Sequence, residues 1–80
     1  MSHLRILLFA GLAETCGSTF LEVELPSVCT VAELELLAIT ANPRLHHATF
    51  RVAVNSVYAD ATDLIPEDAE VAFLPPVSGG

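Results

Sequence analysis

Thr30-Val31-Ala32-Glu33 opens the one stretch of this chain whose apolar residues recur at helical spacing. Thr30 stands where an N-cap belongs, and Glu33, three residues on, completes a capping box. Val31, Leu34, Leu37, Ala38 and Ala41 then fall on one stripe, and Asn42-Pro43 stops the run, which predicts a helix over 31–41. The other apolar segments read as strands or as short connections. A single amphipathic helix in such company hides its stripe in one way, by lying across one face of one sheet.

The strands that would form this sheet are short. Residues 4–9 place Leu4, Ile6 and Leu8 on one side. Residues 10–15 form a connection or a short turn of helix, and Gly17-Ser18 signals a turn. Residues 19–25 alternate, with Leu21, Val23 and Leu25 inward and Glu22 and Glu24 outward, until Pro26 ends the strand. Beyond the helix, 44–49 reads as a polar loop and 50–55 as a strand centred on Val52 and Val54. Ser56-Val57 reads as a tight turn, Tyr58-Ala59 as a short return, 64–69 as a connection and 70–74 as the last strand. The first two strands form a hairpin, and the long crossover lets the last strand lie parallel to the first in mid-sheet. The expected fold is α+β, a β-grasp or ubiquitin-like arrangement. It has a mixed sheet of four to five strands and one main helix on one face, with a domain over 1–74 and an extended tail over 75–80.

That tail is the expected working part. Pro75 and Pro76 each fix φ near −65°, so its base is stiff and extended. Val77 and Ser78 follow, and Gly79-Gly80 ends in a slender rod with no side chain beside a main-chain carboxylate. Six residues reach roughly 20 Å at about 3.3 Å each, enough to deliver Gly80 into another protein's active site. A Gly-Gly end alone is a weak signal, since termini commonly fray without function. Its weight comes from the prolines before it and the domain that carries it.

Composition narrows the partners. Eighty residues make one domain with one small core, and 52% hydrophobic against 16% charged residues excludes a disordered chain. That balance also points to apolar surface left over for an interface. Ten acids face three arginines and no lysine, a net charge of −7, which argues against nucleic acid. The same charge favours steered association with a basic partner, and would equally serve solubility. Without lysine, an activated Gly80 finds no side-chain amine on its own chain. Cys16 and Cys29 are not spaced as a redox or zinc motif and read as reduced, partly buried thiols. His46-His47 lacks further ligands at useful spacing and reads as surface, so no metal site is expected. No apolar run approaches the length of a membrane span, and residues 4–13 read as a core strand rather than a leader, which makes the expected location cytoplasmic.

Val71-Ala72-Phe73-Leu74-Pro75-Pro76-Val77-Ser78-Gly79-Gly80 closely resembles the C-terminus of the MoaD-like small subunit of molybdopterin synthase. Leu7-Leu8-Phe9-Ala10-Gly11-Leu12-Ala13-Glu14, Gly17 and Ala53-Val54-Asn55 resemble the same family's first strand and turn and its middle strand. The resemblance implies a sulfur carrier that is not an enzyme on its own and binds no cofactor itself. An E1-like enzyme would use ATP to adenylate Gly80, and sulfur would then replace AMP to give a thiocarboxylate, a 1-thioglycine. The MoaE-like large subunit, in an expected heterotetramer, would admit the tail so that sulfur passes to a cyclic pterin precursor. Gly79, Ser78, Val77, Pro76 and Pro75 would thread the tail, and Phe73 would anchor the strand behind it.

Two positions depart from the family's habit. Ala13 stands where an arginine is common, and Glu67-Asp68-Ala69 replaces a frequent Asp-Gly-Asp; Asp tolerates a left-handed turn less readily than Gly. Three other readings share the tail: a sulfur carrier for thiamine synthesis or tRNA thiolation, a modifier joined to lysines as ubiquitin is, and a binding module with an idle tail.

Overall fold

The computed structural model describes residues 2–76. In chain order they form β1 (Ser2–Leu8), α1 (Gly11–Cys16), β2 (Phe20–Leu25), α2 (Val31–Ala41), a 3₁₀ turn (Pro43–His47), β3 (Arg51–Val54), β4 (Val57–Tyr58) and β5 (Val71–Leu74). The five strands make one mixed sheet in the order β2-β1-β5-β3-β4. β1 runs antiparallel to β2 and parallel to β5, and β5 runs antiparallel to β3. This is the expected β-grasp, with α2 as its main helix.

Strand alternation sets the core. Leu4, Ile6 and Leu8 of β1, Val23 and Leu25 of β2, Val52 of β3 and Val71 and Phe73 of β5 are buried, and Val31, Leu34 and Ala38 of α2 join them in the same cluster. The capping box forms as expected: the Glu33 amide donates to Thr30 Oγ1 at 3.2 Å, and the Thr30 amide donates to Glu33 Oε1 at 2.9 Å. The next two helical amides, Val31 and Ala32, donate to the carbonyls of Asp63 and Ala61, so the 59–70 connection closes this helix end.

Three local expectations are corrected. The helix buries a narrower stripe than the spacing predicts, since Leu37 is half-buried and Ala41 exposed. The 44–49 loop begins as the 3₁₀ turn, which packs against α2 and buries Leu45 to 1% exposure. Asn42 caps this turn by accepting from the Arg44 amide. The hairpin turn falls on Asn55-Ser56, one residue early, with φ of 52° and 69°. Two left-handed residues match the right-handed twist of the flanking strands, so Val54 pairs with Val57. The left-handed turn before the last strand does form, with Asp68 at φ 57°.

Candidate functional site: the root of the tail and the open sheet face

β5 is the strand from which the tail departs, and it is held on both sides. Ile6, Leu7 and Leu8 pair with Val71, Ala72 and Phe73 on one edge, while Arg51 to Val54 pair with Leu74 to Val71 on the other. The Phe9 amide adds a 3.3 Å bond to the Phe73 carbonyl. Phe73 is fully buried and stacks on Phe50 with ring centroids 4.4 Å apart and planes at 17°. It occupies the place expected of an anchor. Pro75 and Pro76, both exposed, follow at once. Lacking amide hydrogens they cannot extend the ladder, so the chain leaves the sheet there. The expected threading residues Val77, Ser78 and Gly79 and the expected reactive Gly80 lie outside the described residues.

The face of the sheet away from α2 is apolar near this exit. Leu7 is paired with both Phe20 and Ala72, Ala72 with Ala53, and Ala53 with Tyr58, so these five residues cross all five strands in one row. Ala72 and Ala53 are small, and between the larger side chains they leave a groove of about 340 Å³ lined by Leu7, Phe9, Tyr58 and Leu74 among others. Phe9, Phe20 and Tyr58 are 39–49% exposed, a large apolar exposure for one face of a small domain. Two arginines flank the row. Arg5 lies over the Phe20 ring at 4.5 Å and Arg51 over the Tyr58 ring at 4.3 Å. A larger recess of about 490 Å³ lies at the opposite end of the sheet, between the start of β1 and residues 65–70, far from the tail.

Reading the sequence for a site singled out the tail and Phe73 and missed this face. The signal was present at the end of β1 and just past it: a half-exposed strand calls for polar residues at 7 and 9, and the chain carries Leu7 and Phe9 there. Cys16 and Cys29 are free and buried. Burial pushes both thiols above their ordinary range, offset at Cys16 by Arg44 and reinforced at Cys29 by Glu33. His46 and His47 are exposed on the 3₁₀ turn, and no group of three metal-ligating side chains occurs among the described residues.

A family model described as the ThiS family matches residues 6–80. The chain belongs to the ThiS family. Its fold and small size are those of the ubiquitin-like sulfur carriers in that family, proteins that are generally not catalysts themselves. Among solved structures, the ThiS-family chain is similar to SAMP1 from Haloferax volcanii, with 28% identity, 99% of this chain and 100% of that one covered, and a TM-score of 0.85. It has the fold of a putative molybdopterin converting factor subunit 1 from Pyrococcus furiosus, at 20% identity, 96% and 100% coverage and a TM-score of 0.86. The same fold occurs in a complex of subunits 1 and 2 of the molybdopterin-converting factor from Helicobacter pylori, at 16% identity, 99% and 100% coverage and a TM-score of 0.68. No helix among the described residues is long and apolar enough to cross a membrane.

Proposed function

We propose that this chain carries sulfur on Gly80 for the dithiolene of molybdopterin. The supporting observation is the doubly paired, Phe73-anchored β5 that runs directly into Pro75-Pro76 beside an uncovered apolar face. An anchored strand fixes where the tail starts, and the prolines limit the conformational entropy lost when it enters a channel. In this reading the terminal carboxylate of Gly80 attacks the α-phosphate of ATP on an E1-like enzyme and releases pyrophosphate. A sulfur nucleophile then forms the carbon–sulfur bond as AMP leaves, because AMP departs where oxide would not. The thiocarboxylate enters the MoaE-like large subunit of molybdopterin synthase and yields its sulfur to the cyclic pterin precursor. The apolar row Phe20, Leu7, Ala72, Ala53 and Tyr58 docks on the receiving protein. Likeness to subunit 1 of molybdopterin-converting factors, one of them solved with subunit 2, supports this reading.

The likeness to SAMP1, from its name a modifier, favours a second reading in which Gly80 is joined to lysines of other proteins. One experiment separates the two. The chain is incubated with the activating enzyme, ATP and a sulfur source, and its intact mass is measured. Oxygen-to-sulfur exchange confined to chains that retain Gly80 is the expected result, with molybdoenzyme activity lost in cells expressing a Gly80 deletion. Adducts on partner lysines without exchange would support the modifier instead, and normal cofactor synthesis by the deletion would exclude the carrier of molybdopterin sulfur.

A further inference from the structure

β1 is an inner strand that lacks a neighbour over half its length. It lies between β2 and β5, and β2 pairs with it from Ser2 to Leu7. β5 joins it only from Ile6, opposite Val71, to Leu8. Beside residues 2–5 the β5 edge of the strand opens instead onto the recess of about 490 Å³. Backbone alternation decides what faces this gap. The Leu8 amide donates to the Thr19 carbonyl on the β2 side, and the Phe9 amide to the Phe73 carbonyl on the β5 side. Residues of one parity turn their amide and carbonyl to the same edge, so Leu4 and Ile6 face β2 while His3 and Arg5 face the gap. Among the described residues no carbonyl receives the amide of His3 or Arg5, and no amide reaches the His3 carbonyl. A donor–acceptor row of this kind is what an added strand pairs with.

The gap is apolar within and acidic at its rim. Leu4, Leu25, Ile65 and Ala69 line its floor, and Glu67, Asp68 and Glu70 stand on the side away from β1. Arg5 and His3 line it from β1, and Glu22 and Glu24 of β2 stand opposite them. The Arg5 guanidinium lies 4.5 Å over the Phe20 ring, on the β2 side of the strand, which leaves the acids of the rim without an arginine. A strand laid in the gap turns alternate side chains to the floor and to the rim, so apolar residues suit one set and cations the other. This chain does not supply such a strand. It has no lysine, a second copy brings the same net charge of −7, and the tail ends on a carboxylate that the rim repels.

We infer that the gap beside residues 2–5 receives an extended segment of a partner protein, in which apolar residues alternate with Lys or Arg, and that this segment completes the sheet next to β1. Four residues at about 3.3 Å each span roughly 13 Å, the length of strand left unpaired. The gap lies at the end of β1 opposite the tail, so the segment leaves the tail and the apolar row free, and the inference does not depend on what Gly80 carries.

The test is nuclear magnetic resonance on the isotope-labelled full chain, with the peptide acetyl-Lys-Val-Lys-Val-Lys-Val-amide as the probe. In the free chain the Arg5 amide is expected to exchange with deuterium at least about 100-fold faster than the Ile6 amide, which β2 holds. Adding the peptide is expected to shift the His3 and Arg5 amide resonances saturably and to slow exchange at Arg5, with Ala72 and Tyr58 unmoved. The same peptide with Glu in place of Lys is expected to bind at least about tenfold more weakly. N-methylation of one alternating set of peptide residues removes the groups that face β1 and abolishes binding, while N-methylation of the other set is tolerated. An Arg5 amide as protected as Ile6 in the free chain overturns the inference. So does the absence of saturable shifts, equal binding by the Glu peptide, or equal binding by the two methylated forms.

Discussion

Ala10 adopts φ 49° and ψ −126°, a combination suited to glycine, directly after β1. The Leu12 amide bonds back to the Phe9 carbonyl at 3.1 Å, so Ala10 occupies the first central position of a tight turn in which a Cβ is strained. The turn delivers Phe9 to the open face and starts α1 at once, and for this position the backbone holds a conformation the residue itself disfavours. Ala10→Gly is expected to stabilise the domain by about 1 kcal/mol. A higher urea midpoint with an unchanged slope is the check, and an unchanged or lower midpoint would mean that the turn carries no strain. Phe73 is the opposite case, with alternation, burial and stacking on Phe50 all agreeing on its placement.

Among the elements, α2 was the most legible. Its cap, length and stop follow from local chemistry: a hydroxyl and a carboxylate three residues apart at one end, Asn-Pro at the other. Thr30→Ala removes the acceptor for the Glu33 amide and is expected to cost about 1 kcal/mol, a fall of several degrees in melting temperature for a domain of this size. A loss below about 0.3 kcal/mol would show that the bonds from Val31 and Ala32 to the 59–70 connection hold this helix end without the cap. The 3₁₀ turn was not legible. Pro43-Arg44-Leu45-His46-His47 carries a single apolar residue, too few for any period, and Leu45 becomes core only because α2 places the chain above the sheet at that point. The width of the helical stripe fails for a related reason: periodicity states which side of a helix is apolar, while the extent of the sheet beneath decides how much is covered. The hairpin turn was displaced by one residue because Ser56 belongs to both pairs, and strand twist selects two left-handed residues, Asn55 and Ser56.

For the whole molecule, the test of the core is its thiols. Cys16 and Cys29 are buried in the one cluster that joins sheet and helices, and burial holds both in the protonated form. Labelling by a thiol-specific reagent at pH 7 is expected to proceed only through opening of the domain, at least about 100-fold more slowly than in denaturant. Fast reaction of one thiol would place it in a region that opens on its own. Cys16, close to the surface at the end of α1, is the one to watch.

The order of elements, the capped helix, the facing of β1 and β2 and the Pro-Pro-Val-Ser-Gly-Gly tail were all set within the chain's local pattern, because each depends on residues a few positions apart. The row from Phe20 to Tyr58 joins residues that are distant in sequence. Pairing five strands in the order β2-β1-β5-β3-β4 brings them together, and a linear pattern holds no record of which strands will be neighbours.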